Sequence, residues 1–310
     1  MSPERTARPE PAGDEPSAAE GGPYGRDPLP LRGRTALVTG ASRRAGIGFA
    51  VARRLAAHGA SVYLHHHRPH DAAQPWGADA ESPDALAADV RACAVPGAVV
   101  AHGPGDLTEE GAPVRLVDEA AAALGGELDI LVANHALSGG DGSLDAVDSR
   151  MLDAHWAVNT RSVVLLVQAL ARRPRPADAP VSAPAGRPGR PGRPGGPGRP
   201  GRIVLLTSGQ DRRGGMPEEL AYALAKGALA SAVRTLATTL APEFTVNAVN
   251  PGPVDTGYRT GEDHAAVAAL FPGGQWAGPE EPARLIAWLA TDEARWITGE
   301  VVNSEGGFAR

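Results

Sequence analysis

Short apolar runs alternate with amphipathic stretches along most of the chain. Thr35-Ala36-Leu37-Val38-Thr39 carries no charge, the mark of a strand buried on both faces. A Gly-rich turn follows, then a helical pattern over 47–58, with Gly59 placed to cap its C-terminus. Further strands are predicted over 61–66, 98–102, 128–134, 203–208, 245–250 and 300–303. Ser82-Pro83 opens another helix, serine as cap and proline in the first turn. Helical periodicity also covers 114–124, 144–171, 217–241 and 282–291. Strands alternating with helices in this rhythm specify an α/β fold with a parallel, doubly wound sheet.

Two segments break the rhythm. Residues 1–28 are rich in Pro, Glu, Gly, Ala and Arg with no apolar period, so they read as a disordered tail before a domain spanning 29–310. Residues 172–202 are rich in Pro, Gly and Arg, with glycine at every third position from Gly186 to Gly201. That is the spacing of a collagen triplet. The run is short, lies inside a domain and mostly places Arg rather than Pro after Gly, so a disordered surface insert accounts for it. Its arginines lack the interleaved aromatics that stack on bases.

Composition narrows the class. An apolar share of 42% supports a sizeable core, and only 4% aromatics makes that core Ala, Val and Leu. A net charge of −6 argues against a nucleic-acid partner for the folded part. The single cysteine, Cys93, can form no internal disulfide and belongs to no metal-ligand spacing. His65, His66 and His67 are adjacent, but strand alternation turns His66 away from the other two and no acidic ligand adjoins them, so no metal is expected. No apolar run is long enough to cross a bilayer, and the N-terminus lacks a secretion-signal pattern. A cytoplasmic setting is the resulting expectation.

The chemistry concentrates in a few places. Tyr222 and Lys226 stand four residues apart on a predicted helix, hence on one face. A phenol ionises near about 10, and a nearby fixed cation favours its anion, so the pair can transfer a proton to or from an alcohol or carbonyl. Upstream, Thr39-Gly40-Ala41-Ser42-Arg43-Arg44-Ala45-Gly46-Ile47-Gly48 follows a strand and opens a helix. Glycines there let the backbone approach a pyrophosphate, and the helix N-terminus points its amides at it. The second strand ends in His66-His67-Arg68 with no carboxylate in line to hold a ribose diol. Arg43, Arg44 and Arg68 instead supply cations for a 2′-phosphate, which favours NADP(H) over NAD(H).

Taken in order, these motifs resemble those of the short-chain dehydrogenase/reductase family over about 34–308, interrupted by the Pro/Gly insert. The turn resembles the family's Thr-Gly-x-x-x-Gly-x-Gly with two extra residues between Gly40 and Gly46. Asp106-Leu107 matches the pair beside the adenine, and Ala133-Asn134-His135-Ala136 stands where Asn-Asn-Ala-Gly is usual, keeping Asn134. Asn159, Ser208, Tyr222 and Lys226 match the catalytic set, Ser208 one residue farther from the tyrosine than is commonest. Pro251-Gly252-Pro253-Val254-Asp255-Thr256 resembles the nicotinamide clasp, and Glu305 replaces the usual aspartate of the C-terminal signature. The resemblance implies a single-domain Rossmann fold. It implies hydride exchange between NADP(H) and a small carbonyl or alcohol, closest to the 3-oxoacyl and general ketoreductases. Tyr222 would be the acid–base group, Ser208 the oxygen anchor and Lys226 the residue that lowers the phenol and holds the ribose. Asn159 would bind a relay water. Ser42, Arg43, Arg44, Gly46, Ile47, Gly48, His67, Arg68, Asp106, Leu107, Asn134, Pro251, Gly252, Val254 and Thr256 would line the dinucleotide groove with Gly40, Tyr222 and Lys226. Homo-oligomers pairing the two long helices are the family's habit. A dinucleotide-sensing protein without turnover is the alternative; loss of Tyr222, Lys226 or Ser208 would mark it, and none is lost.

Overall fold

The computed structural model describes residues 27–173, 199–259 and 261–309. The tail read at 1–28 falls almost wholly outside them, as does the middle of the insert read at 172–202. Both edges of that insert are narrower than the sequence reading. Arg173 still pairs with Asp118, and β5 already begins at Gly201.

Among the described residues, seven strands form one parallel sheet: β1 (Thr35–Val38), β2 (Ser61–His66), β3 (Val100–Pro104), β4 (Ile130–Ala133), β5 (Gly201–Leu206), β6 (Phe244–Asn250) and β7 (Val301–Asn303), in the order β3-β2-β1-β4-β5-β6-β7. Every residue of β4, β5 and β6 is buried, as strands covered on both faces must be. Helices α1 (Ile47–Ala57), α3 (Pro83–Cys93) and α9 (Glu280–Leu289) pack through one apolar cluster. On the other face a second cluster gathers α4 (Ala112–Ala123), α6 (Ser162–Ala171) and α7 (Leu220–Leu240). The order reverses at β1, which lies between β2 and β4, and such a switch opens a crevice at the carboxyl ends of the strands.

Local signals hold where a side chain carries them. Ser82 caps α3 through Ala85 N–H at 3.2 Å, and Gly59 takes a φ of +99° after α1. The helix expected over 144–171 starts later and is broken. Asp148 caps α5 (Ser149–Trp156) through Met151 N–H, a π-helical turn covers Ala157–Arg161, and α6 completes the run. Two short helices, α2 (Arg68–Ala72) and α8 (Gly261–Ala268), were not legible, each being too short to show a period. Among the described residues no helix is long and apolar enough to cross a membrane.

Candidate active site

Two glycines fix the turn after β1 by close approach. Gly40 has a φ of +70°, and a Cβ there would lie 2.7 Å from His135 Cα. A Cβ on Gly48 would lie 2.5 Å from Gly40 O and 2.6 Å from Asn134 Nδ2. Asn134 Nδ2 donates to Thr39 O and Gly40 O, at 2.9 and 3.0 Å, tying the end of β4 to the turn across the switch point. Gly46 precedes α1 without a side-chain cap, and the first turn of α1 has no acidic residue. A bare helix N-terminus behind a turn this tightly drawn in is the cradle a pyrophosphate requires, so the residues present fit a dinucleotide. Asp106 caps Thr108 through N–H and Oγ1, at 2.9 and 2.7 Å, with Leu107 buried behind it. Gly252 packs so closely on Glu305 that a Cβ would stand 2.9 Å from its Cγ.

The adenosine end differs from the linear reading. Carboxylates reach it after all, delivered by the segment between β2 and α3 and by α3 itself. Asp79 accepts Arg44 N–H at 2.8 Å and pairs with the Arg44 guanidinium at 3.2 Å, while Asp89 takes the other side at 2.7 Å. Arg68 donates to the Glu81 and Asp79 carbonyls, and Asp71 hydrogen-bonds Ser42. Arg43 faces the other way, donating to Thr256 O at 3.1 Å and stacking on Trp76 at 5.9 Å. The cations expected for a 2′-phosphate are therefore all partnered within the fold. Sequence distance hid this, since Asp79 lies 35 residues from Arg44.

Ser208, Tyr222 and Lys226 converge where β5 ends and α7 begins. Lys226 is buried at 1% exposure, donates to Leu206 O at 2.9 Å, and stands 5.6 Å above the Tyr222 ring. Burial lowers its ammonium to about 8. The phenol moves opposite to expectation. Burial and the nearby Glu219 carboxylate raise it above its ordinary value, and the Ser208 hydroxyl, as a hydrogen-bond partner, opposes them in part. The physical reason is desolvation: a phenolate in this apolar cleft loses more hydration than its neighbours replace.

Asn159 sits on the π-helical turn, a distortion that recurs at functional sites. Its amide is committed to the loop after β4, accepting Leu137 N–H at 2.8 Å and donating to Leu137 O at 3.0 Å. Three residues of the site were missed from the sequence. His155 is fully buried, meets Asn159 at 3.2 Å and stands edge-on to the Tyr222 ring, centroids 6.1 Å apart. Asp141 accepts the amides of Ala221 and Tyr222. His135 fills the place of a small residue and bridges Thr39 and Ser162, 2.7 Å to each. Only the departure from Asn-Asn-Ala-Gly at His135 was visible beforehand.

Comparison with known proteins agrees. Residues 34–176 match the family model described as short chain dehydrogenase, and 193–309 the model described as enoyl-(acyl carrier protein) reductase. The uncharacterized oxidoreductase YjdA of Bacillus subtilis is 36% identical over 89% of this chain and 97% of its own. The 3-oxoacyl-[acyl-carrier-protein] reductase FabG of Escherichia coli is 33% identical over 90% and 98%. Among solved structures, a short-chain dehydrogenase/reductase from Serratia marcescens superposes with a TM-score of 0.71 at 31% identity, covering 91% of this chain and all of that one. The angucycline C-6 ketoreductase LanV with bound NADP gives 0.70 at 28% identity, covering 89% of this chain and 96% of that one. A parallel sheet with this switch point, a glycine cradle beside it and relatives matched almost end to end establish that the chain belongs to the short-chain dehydrogenase/reductase family of oxidoreductases.

Proposed function

We propose that this protein is an NADP(H)-dependent reductase of a small carbonyl compound, with Tyr222 as its general acid. One observation carries the reading: Ser208 is set against the Tyr222 phenol, and the buried Lys226 stands over the ring. A phenol held above its ordinary value keeps its proton at neutral pH, which suits an acid that protonates a carbonyl oxygen. The Ser208 hydroxyl donates to the same oxygen and stabilises its developing negative charge. Lys226, titrating near 8, is charged at neutral pH and returns a proton toward the phenol at low cost. The dinucleotide, when bound, supplies the hydride. Gly40, Gly46 and Gly48 cradle its pyrophosphate, Asn134 holds the turn, and the 251–256 segment takes the nicotinamide end. The bound NADP of LanV supports the phosphorylated cofactor. Leu152, Trp156 and Leu224 are exposed together on α5 and α7, which supports self-association through that face.

The test is Tyr222→Phe, assayed by NADPH absorbance over a ketone panel including ethyl acetoacetate and phenanthrenequinone. The expected result is a fall in kcat of at least about a hundredfold. Turnover within twofold of the parent refutes the assignment.

A further inference from the structure

The carboxylate of Asp141 and the backbone of Gly142, from the loop after β4, lie against the first turn of α7, where Tyr222 is the third residue. From this juxtaposition we propose that Asp141 is a positioning residue for the tyrosine, holding the helix end on which the phenol is mounted.

A helix leaves its first amides without intrahelical acceptors, and the cap residue normally supplies one. Here the cap residue, Glu219, makes no side-chain hydrogen bond to the helix, and the first turn contains no acidic residue. The missing acceptors come from a residue 80 positions earlier. Ala221 N–H donates to Asp141 Oδ1 at 2.9 Å and Tyr222 N–H to Oδ2 at 2.7 Å. Leu220 N–H donates to Gly142 O at 3.1 Å. Three consecutive amides are thus closed by one dipeptide. The carboxylate is 4% exposed, and its charge complements the positive end of a 21-residue helix. It keeps its own loop in register by accepting Gly142 N–H at 2.8 Å.

The same loop is clamped at its other end by Asn159, through both backbone groups of Leu137. His155 fills the space between. Its Nδ1 meets Asn159, its ring stands perpendicular to that of Tyr222, and its Nε2 lies 4.0 Å from Asp141 Oδ2. Asn159, the loop, Asp141 and the first turn of α7 therefore form one continuous strut ending at the phenol. A first turn released from its cap frays, and Tyr222 frays with it.

This inference rests on the role proposed for Tyr222, and the experiment separates the two. Asp141→Ala, Asp141→Asn and Tyr222→Phe are made in the full chain, singly and in combination. NADPH oxidation is followed with ethyl acetoacetate and phenanthrenequinone, and amide exchange is read on peptides covering 220–226. Asp141→Ala should lower kcat at least about tenfold with KM for NADPH within twofold, because the phenol moves while the cradle does not. Asp141→Asn keeps one oxygen but faces the second amide with a donor, so it should fall between. In Tyr222→Phe the further loss of Asp141 should cost nothing in kcat, whereas general destabilisation would still subtract. Exchange at 220–226 should quicken in both Asp141 variants. Protection unchanged in Asp141→Ala overturns the proposal even if Tyr222→Phe proves active, and so does an additive double mutant. Should Asp141→Ala fail to fold, Asp141→Asn carries the same readouts.

Discussion

Lys226 offers a measurement of burial that needs no substrate. The ammonium is sealed at 1% exposure, with the Leu206 carbonyl as its hydrogen-bond acceptor. Its folded value is about 8 against an ordinary 10.5, and desolvation is the cause. Between those two pH values the unfolded chain holds this proton and the folded chain does not, so stability must rise with pH across that window. Below it both states are protonated, and the full cost of the buried charge is felt. At about 1.4 kcal/mol per pKa unit the difference amounts to about 3 kcal/mol. Lys226→Met keeps the length of the side chain and removes the titration. Subtracting its unfolding free energy from that of the parent at each pH cancels the groups common to both. The parent should therefore gain about 3 kcal/mol on the variant between pH 8 and 10.5, or roughly 5–10 °C in Tm, and nothing between pH 6 and 7.5. Thermal melts and urea titrations of the dinucleotide-free protein measure it. A difference that is flat from pH 7 to 10.5, or that shrinks, would refute the reasoning.

Other perturbations test other parts of the site. Asp79→Asn should free the Arg44 guanidinium and amide, raising kcat/KM for NADPH relative to NADH at least about threefold; an unmoved ratio would show that this carboxylate does not compete with a 2′-phosphate. Gly48→Ala forces a Cβ against Gly40 O and Asn134 Nδ2, so Tm should fall by roughly 3–6 °C and KM for NADPH should rise, which melts and steady-state kinetics check. His65 accepts the Gly40 amide through Nδ1 and donates through Nε2 to Gly105 O, so it must stay neutral. Burial lowers it to about 4, and stability present above its unfolded value of 6.5 should be lost as pH falls through 4. A parent that acid-unfolds in step with His65→Gln would contradict this.

The fold was legible because each strand is short, apolar and bounded by its own turn. The limits of the long helix were not. A period of 3.6 residues runs through 144–171 without interruption, but the π-helical turn inserts an extra residue around Asn159, and tertiary contacts rather than local propensity hold it. The start of α7 was misplaced for a related reason. Pro217 signals a first turn, yet the acceptors that begin this helix at Leu220 belong to Asp141 and Gly142, and no local window contains them.

The candidate site divides along the same line. Ser208, Tyr222, Lys226 and Asn159 were singled out because each lies in a local spacing that stays the same whatever surrounds it. What sets their behaviour is supplied from a distance. The expectation that Lys226 lowers the Tyr222 phenol counted one charge and left out desolvation, which acts on both groups in the same cleft. It drives the phenol up from its ordinary 10 and the ammonium down from 10.5 to about 8, so two groups nearly matched when free are moved apart, the ammonium becoming the stronger acid. In the role proposed for Tyr222, an acid that keeps its proton beside an amine that gives one up readily would be reloaded after each turnover. The pairing that spacing identified is thus made workable by burial, a quantity that exists only once β5, α7 and the loop after β4 have closed around it.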